Sequence, residues 1–197
     1  MLRIIDRVPS HSRVYALSGL ILDAGALFIT DTHMVPDPTT DQIAEMTIAA
    51  AAEIAHFGLK PRVALLSHSN FGSSHTDSAR KMRRAYKKVR DMAPHLAVDG
   101  EMHADAALSE SLREPLIGDG VLKGSANLLI MPSLDAANIS FNMVRMLADG
   151  VDVGPILLGM DLPCHVLHEN INARGIVDMT ALAVVEAQGT AEQELPL

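Results

Sequence analysis

Cysteine is nearly missing from this chain. Cys164 is the one thiol among 197 residues, which excludes an intrachain disulfide and an all-cysteine zinc site. Tryptophan is absent and aromatics make up 3%, so a base-stacking platform for nucleic acid is lacking. Positive charge is also short. The net charge of −8 argues against a nucleic-acid partner, whose binding leans on clustered Lys and Arg. No apolar run reaches the roughly 18–20 residues needed to span a bilayer, so no membrane is expected. The first ten residues (MLRIIDRVPS) hold no signal-peptide core, and a cytoplasmic location is the default expectation.

What is present is aliphatic. Hydrophobic residues make up 48%, enough to build a core for one domain of this length. Val14 to Leu22 and Ala26 to Asp31 are β-prone runs around Asp23-Ala24-Gly25, a hairpin signal. Thr39, Thr40 or Asp41 is placed to cap a helix running to Phe57, with Gly58 just past its end. From Pro61 onward strands and helices alternate. Strands are predicted at 62–66, 96–98, 127–131 and 153–158. Helices are predicted at 77–92, 104–112, 134–147 and 171–188, and a disordered tail at 189–197. The alternation predicts an α/β fold: a mixed, mainly parallel sheet flanked by helices, with an N-terminal β-hairpin.

Five segments could carry chemistry. The loop Ser67 to His75 follows a buried strand and precedes a helix, where open α/β sheets bind ligands. Its small residues and hydroxyls, Ser67, Ser69, Asn70, Gly72, Ser73 and Ser74, suit a phosphate, although an ordinary capped loop reads the same way. The helix after it carries seven basic residues. Arg80 and Arg83 are the ligand candidates, and the rest read as a solvated face with acidic neighbours. Asp99-Gly100-Glu101-Met102-His103 offers acid and base groups, but Asp99-Gly100 reads first as a turn. Gly118 to Gly124 precedes a strand and has the wrong spacing for a dinucleotide loop. Cys164-His165-Val166-Leu167-His168 reads as structural, and no metal site or catalytic residue is assigned.

Five ordered strings carry more information: RVALLSHSNFGSS, DGEMHADAAL, KGSANLLIMPSLDAANI, VGPILLGMDLPCHVL and ARGIVDMTALAVVEAQ. In this order they resemble the last part of the phosphotransacetylase family, and more closely the phosphotransacetylase-like domain at the C-terminus of bacterial malic enzymes. The resemblance runs from Arg3 to Gln188. It implies the inserted second subdomain of that fold (1–165) followed by the closing helix of the first (166–188). It further implies a piece of a longer chain, whose Met1 is not the natural start and whose other domains hold NADP and a divalent metal for malate oxidation.

Phosphotransacetylases pass an acetyl group between phosphate and coenzyme A. The family's Ser-Arg pair and its Asp fall here on His168, Glu169 and Gly175, which argues against a transferase activity of this chain's own. The resemblance instead implies a regulatory and oligomerisation domain, dimerising through this region and binding acetyl-CoA as effector. Asn127, Asn138, Gly154 and Pro155 join the Ser67–Ser74 loop as the implied binding residues. The alternatives are an active phosphate acetyltransferase and a pure dimerisation domain without ligand.

Overall fold

The computed structural model describes residues 13–160, 162–167 and 171–194. The hairpin signal is realised as β1 (Tyr15–Leu22) and β2 (Gly25–Thr30), antiparallel and in register from Leu17↔Thr30 to Leu22↔Gly25. The tight connection uses Gly25 at φ 120°, a conformation that side chains rarely adopt.

Thr39 caps α1 (Thr40–His56). Its Oγ1 accepts from the Gln42 N–H, and the Gln42 side chain accepts from the Thr39 N–H, a reciprocal capping box. The helix buries Ile43, Met46, Ala50, Ala51 and Ile54 at helical spacing. Next come β3 (Val63–Leu66), α2 (Asp77–Met92), β4 (Val98–Met102), α3 (Ala104–Leu108) and α4 (Glu110–Ile117). The chain closes with β5 (Leu128–Ile130), α5 (Leu134–Leu147), β6 (Val151–Leu158) and α6 (Ala173–Glu194).

The six strands form one sheet in the order β4-β3-β5-β2-β1-β6. Pairing is parallel from β4 across to β2, and β1 is antiparallel to both of its neighbours. Alternate residues feed two cores. Val63, Leu65, Leu128 and Ile130 pack with α1 and α2 on one face. Ala64, Leu66 and Leu129 pack with Ala106, Ala107, Ala137 and Phe141 on the other. The mixed, mainly parallel sheet with its hairpin is the architecture expected from the sequence.

Several boundaries differ from expectation. The strand expected at 96–98 lies at Val98–Met102, so Asp99-Gly100 sits inside a strand and is not a turn. Both carboxylates there are buried because partners distant in sequence satisfy them. The single helix expected over 104–112 is two, broken at Ser109, which is extended at φ −124°. The break lets buried Arg113 reach back to the carbonyls of Ala106 and Ala107, and across to those of Leu122 and Gly124. β6 starts at Val151, two residues before the expected strand. α6 continues through Gly189 to Glu194. The rest of the expected tail, 195–197, lies outside the described residues, as do His168 and Glu169.

Candidate functional site

The residues singled out from the sequence fall into two places. Ser67 to Ser74 form the loop between β3 and α2, and its polar groups turn inward. Ser69 is buried. Its hydroxyl donates to Glu101 Oε1 at 2.8 Å and accepts from the Ser74 N–H at 3.0 Å. The Gly72 N–H donates to Glu101 Oε1 at 2.9 Å. Ser67 Oγ accepts from the Ser69 N–H, and Ser73 Oγ from the Asn70 N–H. Asn70 Oδ1 accepts from the His103 N–H, and Ser74 Oγ lies 3.2 Å from His68 Nε2. Burial alone would raise the Glu101 pKa. Donors from Arg83, Ser69 and Gly72 outweigh it and hold the carboxyl below its ordinary range.

The loop therefore is an anion cradle, and Glu101 supplies the anion. On α2, Arg80 pairs with Asp77, Lys81 with Asp37 and Lys88 with Asp41, as a solvated basic face would. Asn127 is a backbone clasp: Oδ1 accepts from the Arg62 N–H at 2.7 Å, and Nδ2 donates to the Lys60 carbonyl at 3.0 Å.

Asn138, Gly154 and Pro155 come together elsewhere, around a cavity of about 670 Å³ bounded by α5, β6 and the start of α6. This is the size of a small-molecule site. Its shape begins with an irregularity between β1 and β6. The register passes from Leu17↔Ile156 to Gly19↔Val153, so Gly154 and Pro155 stand opposite Ser18 alone. Proline is tolerated there because β6 is the sheet edge. Gly154 sits at φ 110°, and an added Cβ would lie 2.9 Å from the Leu17 carbonyl. The Gly154 N–H instead meets Met179 Sδ at 3.2 Å, which seats α6 on the bulge.

The opposite wall is one face of α5: Asn138, Phe141, Asn142 and Arg145, at helical spacing. Asn142 Nδ2 donates to both oxygens of Asn138, whose Nδ2 donates to the Thr32 carbonyl. Thr32 Oγ1 lies 2.7 Å from Ser18 Oγ and 2.8 Å from His33 Nδ1, so Ser18 and His33 complete a polar floor. The turn carrying Thr32 and His33 is braced by Asp31. Its carboxyl accepts from the N–H groups of Ala16, His33, Met34 and Val35.

Two guanidiniums reach this cleft. Arg145 Nη1 is 3.8 Å from Asp152, and Arg174 Nε is 3.9 Å from Asp178. Both pairs are long and solvent-exposed, so either arginine can turn to an anionic ligand at little cost. Gly175 lies on the cleft wall and offers no side chain. The sequence reading missed Asn142, Arg145, Ser18 and His33. The polar stripe Asn138-Asn142-Arg145 on one face of a helix was the signal available. None of the Ser67–Ser74 residues, Arg80 or Asn127 lines the cleft. Among the described residues no cluster of three or more His, Cys, Asp or Glu is arranged for a metal ion. No helix there is long and apolar enough to cross a membrane.

Similarity to known proteins agrees with this geometry. Residues 1–184 match the phosphate acetyl/butaryl transferase family. The chain is 54% identical over 172 residues to an NAD-dependent malic enzyme of Rhizobium meliloti, covering 87% of this chain and 22% of that protein. It is 52% identical over 176 residues to an NADP-dependent malic enzyme of Salmonella typhimurium, covering 89% and 23%. In these enzymes the similarity lies in the C-terminal region. A phosphotransacetylase from Staphylococcus aureus superposes with a TM-score of 0.90 at 28% identity, over 94% of this chain and 58% of that one. The chain thus spans less than a quarter of the malic enzymes it matches. With 184 residues matched in order and the fold reproduced, the chain belongs to the phosphate acetyl/butaryl transferase family.

Proposed function

We propose that this chain is the regulatory and oligomerisation domain of a malic enzyme, and that the cleft between α5, β6 and α6 binds acetyl-CoA as effector. The oxidative decarboxylation of malate to pyruvate, with its NADP and divalent metal, belongs in this reading to further domains. Assembly is as a dimer through this region. The observation that carries the reading is the chemistry of the cleft. Arg145 and Arg174 are weakly held cations suited to phosphate oxygens. Asn142 and His33 suit amide and hydroxyl groups, and Phe141, Val153, Ile171 and Met179 suit a thioester-bearing arm. On the family resemblance Gly175 takes the place of an active-site Asp, and this reading therefore expects binding without turnover.

Two measurements test it. Calorimetric titration with acetyl-CoA should show binding that Arg145→Gln and Asn142→Ala weaken; no binding would overturn the effector reading. An exchange assay with acetyl phosphate and CoA should show no turnover. Turnover of roughly 1 per second or more would replace this reading with an active phosphate acetyltransferase.

A further inference from the structure

A second polar cluster lies inside the protein and belongs neither to the cleft nor to the loop. Glu53, near the end of α1, and Glu186, on α6, are both largely buried, and the charge of Glu53 acts on the Glu186 carboxyl. His165, from the segment between β6 and α6, places Nε2 3.3 Å from Glu186 Oε1. The three side chains are 14%, 11% and 5% exposed. Three separate elements thus join at one buried point.

The attachment of α6 is otherwise thin. Met179 and Leu182 reach the core, while Ile176, Val177, Val184 and Val185 remain exposed. The segment carrying His165 is tied to β6 by the Ile156↔His165 bridge. The first turns of α6 form a wall of the cleft through Gly175, Asp178 and Met179.

We propose that the Glu53–Glu186–His165 cluster is a proton-operated latch that holds α6 against α1 and thereby sets whether that cleft wall is in place. Two neighbouring carboxyls are stable when they share one proton and repel when both are charged. Burial and the neighbouring Glu53 push Glu186 up to about 8. His165 is lowered by burial and stays neutral in the docked state. His56 lies 3.7 Å from Glu53. Elsewhere on α1, Asp41 pairs with Lys88 and Glu45 accepts from Tyr15. Asp152 of β6 pairs with Arg145, and Arg174 of α6 with Asp178.

Glu186 has a raised pKa when docked, so its preference for docking is full below its ordinary value of 4.5 and is lost as pH rises to about 8. His165 has a lowered pKa, so its preference for docking is lost as pH falls below its ordinary 6.5. Below 6.5 the two effects oppose. Between 6.5 and about 8 Glu186 acts alone, and docking weakens by up to about tenfold per pH unit.

Hydrogen–deuterium exchange of the 197-residue chain between pH 6 and 8.5 tests this, corrected for intrinsic exchange and referenced to β3 and β5. Wild-type α6 should lose protection from pH 6.5 to 8 and level off above it. Glu186→Gln, which carries no charge, should hold α6 throughout. Glu53→Gln removes the neighbouring charge and leaves Glu186 buried, so it should lessen the loss of protection relative to a wild type repelled by Glu53, and it serves if the first variant does not fold. A pH-independent wild type, or variants that follow the wild-type profile, would overturn the latch. Only its consequence for the ligand rests on the acetyl-CoA reading. Release of α6 with no change in acetyl-CoA affinity would count against the cleft reading and leave the latch standing.

Discussion

Arg83 and Glu101 form a two-pronged ion pair, with Arg83 Nη2 2.8 Å from Glu101 Oε1 and Nε 3.0 Å from Oε2. Arg83 Nη2 also donates to the Ser74 carbonyl, so one guanidinium ties the α2 end of the loop between β3 and α2 to β4. Glu101 is wholly buried and takes the hydroxyl of Ser69 and the N–H of Gly72 as well. Removing it strands several donors at once. Glu101→Ala should lose about 2–3 kcal/mol of stability in urea unfolding. Glu101→Gln keeps an acceptor for Ser69 and Gly72 and should lose less.

The same carboxyl predicts a pH dependence. Its pKa is held below the ordinary 4.5, so the stability it contributes is present above 4.5 and fades as pH falls through its lowered value. Asp31 and Asp99, raised by burial, act with the opposite sign. Their contribution is full below 3.8 and is lost as pH rises through their raised values. The gap in stability between wild type and Glu101→Gln should therefore shrink as pH falls below 4.5, in parallel urea titrations. A gap independent of pH would show that the lowered carboxyl is not Glu101.

How far the sequence could be read follows from where each partner sits. Asp77–Met92 and Leu134–Leu147 were legible to the residue, because a 3.6-residue apolar period and a Thr or Ser cap lie within each segment. β4 was misplaced because a strand reading Val-Asp-Gly-Glu-Met breaks the apolar run, and its acids find partners in Arg83 and in the Leu122 N–H. The hydroxyl-rich loop was legible as an anion cradle, but not that Glu101 fills it. In the cleft, Asn138, Gly154 and Pro155 were legible, while Ser18 and His33 depended on the β1–β6 bulge.

The two places can be separated by substitution. Ser73→Ala and Arg80→Ala touch the cradle and the α2 surface, and should leave acetyl-CoA affinity unchanged. Asn142→Ala removes a cleft donor and should weaken binding roughly tenfold, the equivalent of one ordinary hydrogen bond. The reverse pattern in calorimetry would move the site to the loop.

Among the described residues, Arg113 is the largest side chain that is buried completely. Its two terminal nitrogens donate to the carbonyls of Ala106, Ala107, Leu122 and Gly124 at 2.7–3.3 Å. With the Ala126 N–H, which donates to the Ala107 carbonyl at 2.9 Å, it ties the α3–α4 break to the segment that leads into β5. Arg113→Met matches much of the apolar stem but takes the guanidinium donors from the carbonyls of Ala106, Leu122 and Gly124, while Ala107 keeps the Ala126 N–H. A loss of roughly 3 kcal/mol is expected. Arg113→Lys should recover little, because one ammonium cannot span the fork of four carbonyls.

Gly100 gives the sharpest local test. It lies within β4 at φ 153°, and a Cβ there would stand 2.8 Å from Leu65 Cβ and 2.9 Å from the Leu65 carbonyl oxygen. Leu65 is fully buried in β3 and paired with Gly100 in the register, so neither partner can move without shearing the β3–β4 ladder. Gly100→Ala should cost about 2–4 kcal/mol, combining an unfavourable φ with overpacking. The loss should come with faster amide exchange in β4 and in the Ser67–Ser74 loop, since Glu101 is the next residue and holds that loop. The cleft is built on β6 at the other edge of the sheet, so exchange there should be unaffected. A variant of wild-type stability would show that β3 and β4 are not in the close contact described.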